Sequence, residues 1–200
     1  MGQQLCGINS VGTHNYQIMA FAPSILATLG FDQPDISGFV VTSVGFVSSV
    51  IFAPMIHKFR RKLLWMIGFV LMMISFIAFL ISQDTNAHSA LKVFFLCMFV
   101  SVFQLGPGPV VWFISVEMFP VRAVAAAQGV ATFFNWVANT IVFLIFPILL
   151  DKIGDRVLIV FIVFQILVLI YSTFFVMETL DRTPEDVLDD YQSFNFFSDD

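Results

Sequence analysis

Long stretches without a charged side chain constrain the fold of this chain more than any other feature. The stretch from Leu63 to Ile81 is uncharged throughout, as are Val157–Val176, Gly38–Ile56 and Val93–Val116. At about 1.5 Å per residue, a helix of this length crosses the roughly 30 Å hydrocarbon core of a bilayer. The chain is 58% hydrophobic and only 12% charged, whereas a soluble domain carries about 25% charged residues. We therefore expect the chain to lie in a lipid bilayer.

Six membrane-spanning helices are predicted from the positions of these stretches. Their approximate ranges are 3–29, 36–56, 63–82, 90–117, 123–150 and 156–177. The connections are short, which makes consecutive helices antiparallel neighbours. The predicted fold class is an all-α membrane protein, a six-helix transmembrane bundle that forms a membrane domain over residues 1–177. The acidic tail, residues 178–200, is predicted to start a helix at Thr183–Asp186 and to be disordered beyond it.

The distribution of lysine and arginine predicts the orientation of the bundle. Loop 57–62 has the sequence H-K-F-R-R-K, and Arg122 and Arg182 would lie on the same side. The opposite side would carry fewer basic residues: Lys92, Lys152 and Arg156. Because cytoplasmic loops carry the excess of basic residues, we expect loop 57–62 and both termini in the cytoplasm.

The fourth predicted segment is interrupted by two prolines and two glycines. The sequence F-Q-L-G-P-G-P-V-V-W-F occupies 103–113. Proline has no N–H and its ring collides with the carbonyl four residues earlier, so Pro107 and Pro109 are expected to break the helix. A membrane tolerates such a break only where other helices bury it or a wet cavity lines it. We predict that this segment, flanked by Gln104 and Trp112, forms the wall of a polar passage.

The first predicted segment is too polar for a helix that faces lipid on all sides. It contains Gln3, Gln4 and Asn9 together with further amide and hydroxyl side chains. Buried amides cost free energy unless they meet polar partners or water. Two interpretations remain open: a poorly apolar helix buried in the bundle, or a discontinuous helix that lines a cavity.

The fifth predicted segment carries its polar side chains in one stripe. Spacings of four, three and four residues place these side chains on one face of an α-helix: Gln128, Thr132, Asn135 and Asn139. The stripe can line a polar passage, and hydrogen bonds between helices are the alternative explanation. Amides and an aromatic face together suit a neutral, hydroxyl-rich ligand.

The other segments indicate packing more than chemistry. The second carries small hydroxyl residues that allow close approach, the third is expected to face lipid, and Gln165 in the sixth is interpreted as structural. Glu117, at the end of the fourth segment, can pair with Arg122 or with loop 57–62 as a latch. The sequence contains no catalytic or metal-binding motif, so neither an enzyme, a cofactor nor a nucleic-acid partner is expected.

Four motifs in the chain resemble, in order, those of one family. They are Q-Q-L-C-G-I-N at 3–9, G-P-G-P-V-V-W at 106–112, N-W-x-x-N at 135–139 and E-T-x-x-R-T at 178–183. The basic loop 57–62 is similar to the family's D/E-R-x-G-R-R. The chain thus resembles the C-terminal six-helix half of a sugar porter of the major facilitator superfamily, close to the animal facilitative hexose transporters. The resemblance covers residues 3 to about 187.

This resemblance implies transport of a hexose such as glucose by alternating access, as facilitated diffusion, in a multi-pass protein of the plasma membrane. The implied substrate-binding residues are Gln3, Gln4, Asn9, Gln104, Trp112, Asn135 and Asn139. The implied gating residues are Pro107, Pro109, Glu117, Arg61 and Arg122.

The chain also departs from the family's pattern. His57 and Arg60 replace an acidic residue and a glycine, Gly45 replaces an asparagine, and Met177 replaces a proline. The family's sugar site lies between two six-helix halves, and only one half is expected in this sequence. The chain would then be a fragment, a truncated gene model, or a half-transporter that pairs with a complementary N-terminal half. A truncated, non-transporting paralogue that acts as a membrane regulatory partner or sugar sensor is the alternative function.

Overall fold

The computed structural model describes residues 2–8, 34–85 and 87–193, and these residues form helices and short connections. A short N-terminal turn, Gln4–Ile8, precedes the longer helices. These are α1 (Pro34–Ile56), α2 (Arg61–Asp84), α3 (Ser89–Leu105), α4 (Pro107–Glu117), α5 (Val121–Ile153), α6 (Val157–Phe175) and α7 (Pro184–Ser193). The predicted all-α class is confirmed.

Within the described residues, 5 helical stretches are long and apolar enough to cross a membrane. They are α1, α2, α3 together with α4, α5, and α6, and they correspond to the second to sixth predicted segments. The first predicted segment is described only at residues 2–8. The rest of that segment, including Asn9, lies outside the described residues.

Helix α2 lies at the centre of the core of the bundle. This helix packs against α3, α4 and α6, and it buries Phe69, Met72, Phe76 and Phe79 completely. The ring of Phe76 stacks on that of Phe99 in α3, with 4.0 Å between centroids. The opposite face of α2 carries exposed apolar side chains, among them Ile67, Ile74 and Ile81. The expectation that this segment faces lipid therefore does not hold for the buried face, and it stays a prediction for the exposed one.

Small side chains let α1 approach α3 closely. The hydroxyls of Ser48 and Ser101 are hydrogen-bonded at 2.9 Å between their oxygens. A Cβ on Gly45 would come within 2.7 Å of Val100 Cγ1, so a larger residue would force the helices apart. The predicted packing role of the second segment agrees with this arrangement.

The tail folds back onto the bundle through α7. Thr183 and Asp186 form the predicted helix start: the Asp186 N–H donates to Thr183 Oγ1 at 3.2 Å, and Asp186 Oδ2 accepts from the Thr183 N–H at 3.0 Å. The helix continues to Ser193, so the expectation of disorder directly after its start is wrong for this part of the tail. Val187 is buried, and the Tyr191 hydroxyl donates to the Phe175 carbonyl at 2.8 Å.

Candidate functional site

Helices α3 and α4 form one membrane span that is interrupted at Gly106. Gly106 has φ −135° and ψ −80°, outside helical geometry, and Pro107 takes the first position of α4. A proline is tolerated there because the first N–H groups of a helix have no partner within it. Helical bonding then resumes, since the Val110 N–H donates to the Gly106 carbonyl at 3.0 Å. The predicted helix break is present, and it lies just before Pro107.

Helix α2 covers this break on one side. A side chain on Gly106 would collide with the Leu64 carbonyl oxygen, and one on Gly68 would collide with the ring of Pro107. The two glycines therefore let the backbones of α2 and the interrupted span touch. The break is tolerated in an apolar environment because a neighbouring helix buries it there.

The N-terminal turn places Gln3 against the same break. The Gln3 side-chain amide Nε2 donates to the carbonyl of Gly108 at 2.8 Å, and Gln3 and Gln4 are both buried. The turn also contacts α5 and α6. Two motifs that are far apart in the sequence, Q-Q at 3–4 and G-P-G-P at 106–109, are thus brought together by the fold.

The amide stripe on α5 divides into two parts. Gln128 Oε1 accepts a hydrogen bond from Ser115 Oγ of α4 at 2.6 Å, so this amide joins two helices. Asn135 is buried and Asn139 is half-buried, and the side chains of both make no hydrogen bond within the part of the chain that the structure describes. Hydrogen bonding between helices therefore explains the stripe at Gln128, and the lining of a polar passage by Asn135 and Asn139 stays a prediction.

Gln104 and Trp112 lie on the two sides of the break, and both are half-buried. Trp112 stands on α4, which packs directly against α5. The indole of Trp112 and the amide of Gln104 make no hydrogen bond with another described residue. Their donors and acceptors are therefore not committed to the described part of the fold.

A charged cluster holds the far end of α4. The buried Arg61 guanidinium pairs with Glu117, with 3.0 Å between Nη2 and Oε1. The same guanidinium lies 5.2 Å from the centroid of the Phe113 ring, a distance suited to a cation–π interaction. The Thr179 hydroxyl donates to Glu117 Oε2 at 2.5 Å. Both carboxylate oxygens of Glu117 are thus bound by protein groups.

Glu178 completes this cluster by capping α2. Its carboxylate accepts from the N–H of Arg61 at 2.7 Å and from that of Lys62 at 3.3 Å. The first N–H groups of a helix lack partners and carry partial positive charge, so a carboxylate stabilises them. The Arg60 side chain is exposed, and its Nε lies 3.8 Å from Glu178 Oε2. We call Arg61, Glu117, Glu178 and Thr179 the charged latch.

Sequence reasoning identified only half of the charged latch. From the sequence, Glu178 and Thr179 are identified only as members of the E-T-x-x-R-T motif and not as partners of Glu117 or of loop 57–62. The missed signal is an acidic residue that follows the last span directly, on the side of the basic loop. Arg122, an expected partner of Glu117, is exposed and forms no ion pair among the described residues. The expected pairing is therefore absent here, because Arg61 and Thr179 already occupy both oxygens of Glu117.

The arrangement is similar to that of known transporters. The sequence matches the Sugar (and other) transporter family over residues 1–191. The solute carrier family 2, facilitated glucose transporter member 3 of Mus musculus is 31% identical over 191 residues, which are 94% of this chain and 37% of that protein. The Homo sapiens protein of that name is also 31% identical, over 194 residues.

Solved structures give the same result for the fold. The inward-open xylose transporter XylE from E. coli superposes with a TM-score of 0.78 and 26% identity, covering 94% of this chain and 39% of that one. A D-xylose-proton symporter gives a TM-score of 0.79 with 25% identity over 91% of this chain and 42% of that one. This chain thus spans well under half the length of these relatives. It is an integral, multi-pass membrane protein, and it belongs to the sugar transporter family, with the fold of a major facilitator superfamily sugar porter.

Proposed function

We propose that this protein is a transporter and not an enzyme. It carries a hexose such as glucose across a membrane by alternating access, and the transport is facilitated diffusion. The observation that carries the proposal is the bond from Gln3 to Gly108. It joins a polar turn to an interrupted helix, and α5 packs beside both with Asn135 and Asn139. The relatives from Mus musculus and Homo sapiens, each 31% identical to this chain, are named facilitated glucose transporter member 3.

The side chains gathered here suit a sugar. A hexose presents hydroxyls around its ring and C–H groups on its faces. Amides such as Gln4 and Asn135 can donate to and accept from one hydroxyl pair, and the flat ring of Trp112 can cover a C–H face. We propose that Gln3, Gln4, Asn9, Gln104, Trp112, Asn135 and Asn139 contact the sugar.

The charged latch and the helix break supply the moving parts of this proposal. Pro107 and Pro109 remove backbone hydrogen bonds from the interrupted span, so bending there disrupts fewer bonds than elsewhere. Arg61 and Glu117 tie the end of α4 to the start of α2, and Arg122 lies in the first turn of α5, the next helix after α4. We propose that opening of this side requires the charged latch to loosen, and that this side faces the cytoplasm at the plasma membrane.

A second six-helix half completes the site in this proposal. Sugar porters bind substrate between two halves, and this chain covers 37% of the length of the mouse relative. We propose that a complementary N-terminal half supplies the opposite wall of the passage. The proposal predicts saturable D-glucose uptake by proteoliposomes when both halves are present.

The test compares uptake by site variants with uptake by a matched control. Trp112→Ala and Asn135→Ala are expected to lower kcat/KM for D-glucose by roughly tenfold, the effect of losing one well-placed contact. Trp136→Ala is the control, because Trp136 is adjacent to Asn135 but is an exposed aromatic. Uptake that is unaffected by both site changes would contradict the assigned site, and no saturable uptake by the parent chain reconstituted with the complementary N-terminal half would contradict hexose transport.

A further inference from the structure

The N-terminal turn has its own backbone kink, and α6 supplies a polar partner for it. Gly7 has φ 91° and ψ 9°, a left-handed conformation that favours glycine. Directly before it, the Cys6 carbonyl accepts a hydrogen bond from the Gln165 side-chain Nε2 at 2.7 Å. Gln165 is fully buried in the middle of α6. A buried carbonyl beside a kink needs such a partner, because regular helical bonding is interrupted there.

Buried hydrogen bonds continue from this point to the helix break. The Cys6 thiol donates to the Gln3 carbonyl at 2.7 Å, and the Gln3 amide donates to the Gly108 carbonyl at 2.8 Å. A path of three bonds thus runs from Gln165 through the N-terminal turn to the interrupted span. The path ends at Gln165 on α6 and at Gly108 on α4. The irregular backbone position Gly7 directly follows Cys6, and the other, Gly106, lies two residues before Gly108.

The kink is also clamped by aromatic rings. A Cβ on Gly7 would lie 3.0 Å from Phe161 Cγ on α6 and 3.1 Å from Phe76 Cε2 on α2. These rings pack against the turn from two sides, but apolar contacts of this kind do not set the direction of a backbone carbonyl. The hydrogen bond from Gln165 adds that direction, since it fixes which way the Cys6 carbonyl points.

Packing alone does not account for an amide at this position. Gln165 Oε1 is buried and accepts no hydrogen bond from the described residues. An apolar side chain of the same length would fill the space in this apolar helix without that cost. What the amide adds is one oriented bond to the kinked turn.

We propose that Gln165 is a positioning residue for sugar recognition. It holds the N-terminal turn so that Gln3 and Gln4 keep their orientation, and it couples the kink at Gly7 to the break at Gly106 so that both move together. Gln165 itself need not touch the sugar. This inference rests on the proposed hexose transport for its effect on substrate, but its effect on the turn does not depend on that function.

The experiment measures how freely the turn opens. Gln165→Met keeps the length of the side chain and removes the donor. The alkylation rate of Cys6 by N-ethylmaleimide is followed in proteoliposomes by peptide mass spectrometry, since Cys6 is fully buried when the turn is in place. Ser172→Ala is the matched control, because Ser172 is on the same helix and loses a buried hydrogen bond from Trp65 Nε1, 2.8 Å long.

Gln165→Met is expected to raise the Cys6 alkylation rate about tenfold, as one buried hydrogen bond is lost from the closed turn. Ser172→Ala is expected to change it less than about twofold. The KM for D-glucose is expected to rise in Gln165→Met with little change in kcat, which a general loss of stability would not produce. If Gln165→Met does not fold, Gln165→Asn, which is too short to reach Cys6, takes its place.

An unchanged alkylation rate in the Gln165 variants would overturn the proposal, as would an equal rise in Ser172→Ala. Failure of the proposed function has a different signature. The parent chain reconstituted with the complementary N-terminal half would then show no saturable D-glucose uptake, while the alkylation rates of Cys6 would still decide whether Gln165 holds the turn.

Discussion

Gly68 of α2 and Pro107 of α4 lie in direct contact, and a methyl group on Gly68 would overlap the proline ring. This contact places the backbone of a continuous helix against the weakest point of an interrupted one. The proline ring fills the surface that Gly68 leaves open. Close packing of this kind stabilises helices in a bilayer, where lipid supplies no hydrophobic driving force between them.

Gly68→Ala is expected to destabilise the protein by about 1–3 kcal/mol, because the added methyl group overpacks the contact with Pro107. Gly129→Ala on α5 is the matched control, since a Cβ at Gly129 meets no atom within 4 Å. That control should be neutral or stabilising by up to about 1 kcal/mol, because alanine favours the helix more than glycine. Thermal unfolding in one detergent checks both, and equal shifts in Tm would contradict the packing argument.

Glu117→Gln is expected to lower stability by about 2 kcal/mol. It leaves Arg61, which is only 4% exposed, without its charged partner, and hydrogen bonds to charged groups contribute about 1.5–3 kcal/mol. Arg60→Ala is the control, since the Arg60 side chain is 74% exposed and exposed ion pairs contribute little. Chemical unfolding in mixed micelles measures both. A larger effect from Arg60→Ala would show that the charged latch does not depend on the Arg61–Glu117 pair.

Phe76→Ala is expected to destabilise the bundle by about 2 kcal/mol, mainly through the cavity left beside Phe99. The transfer of the ring from water contributes little here, because the separated helices would still lie in lipid. Phe39→Ala should change stability by less than about 0.5 kcal/mol, since Phe39 is 72% exposed on the surface of α1. Unfolding in mixed micelles compares the two. Equal losses would show that α2 is not the centre of the core.

Acidification is expected to loosen α7. Hydrogen bonds from the hydroxyl and backbone N–H of Thr183 lower the pKa of Asp186 below its ordinary value of 3.8, and a hydrogen bond from Arg182 does the same for the pKa of Asp190. Because these pKa values are lowered in the folded tail, the stabilisation is present above about pH 4 and is lost as the pH falls through the lowered values.

Hydrogen–deuterium exchange over residues 184–193, corrected for intrinsic rates, checks this expectation. Protection should be high at pH 7 and should fall as the pH is lowered through the depressed pKa values of Asp186 and Asp190, and Asp186→Asn should reduce it already at pH 7. Asp189→Asn is the control, because Asp189 is exposed and takes part in no ion pair within the described residues. Equal protection above and below these pKa values in the parent protein would contradict the role of the two carboxylates.

The membrane spans could be predicted from the sequence because their signal is local. Long uncharged stretches define α1 and α6 to within a few residues, and the proline chemistry at Pro107 predicts a break whatever surrounds it. The burial of α2 could not be predicted in this way. Both faces are largely apolar, so hydropathy alone does not say which one is buried. The small residues Gly68, Ser75 and Ser82, seven positions apart, are a local signal of the buried face.

The contacts of the candidate site could be predicted only in part. Spacing places Gln128 and Asn135 on one face of α5, but it does not say that Gln128 bonds Ser115 while Asn135 does not. The bond from Gln3 to Gly108 joins residues 105 positions apart. No local pattern encodes such a pair, and the family motifs suggested only that both residues belong to one site.

Glu178 carries a consequence for the order in which this protein is made. The cap on the first turn of α2 comes from a residue synthesised 117 positions after Arg61. While the ribosome is still translating α3 to α6, the amides at the start of α2 lack this cap. The spans can therefore insert one after another, but the charged latch at the start of α2 forms only after the ribosome has translated α6 and Glu178.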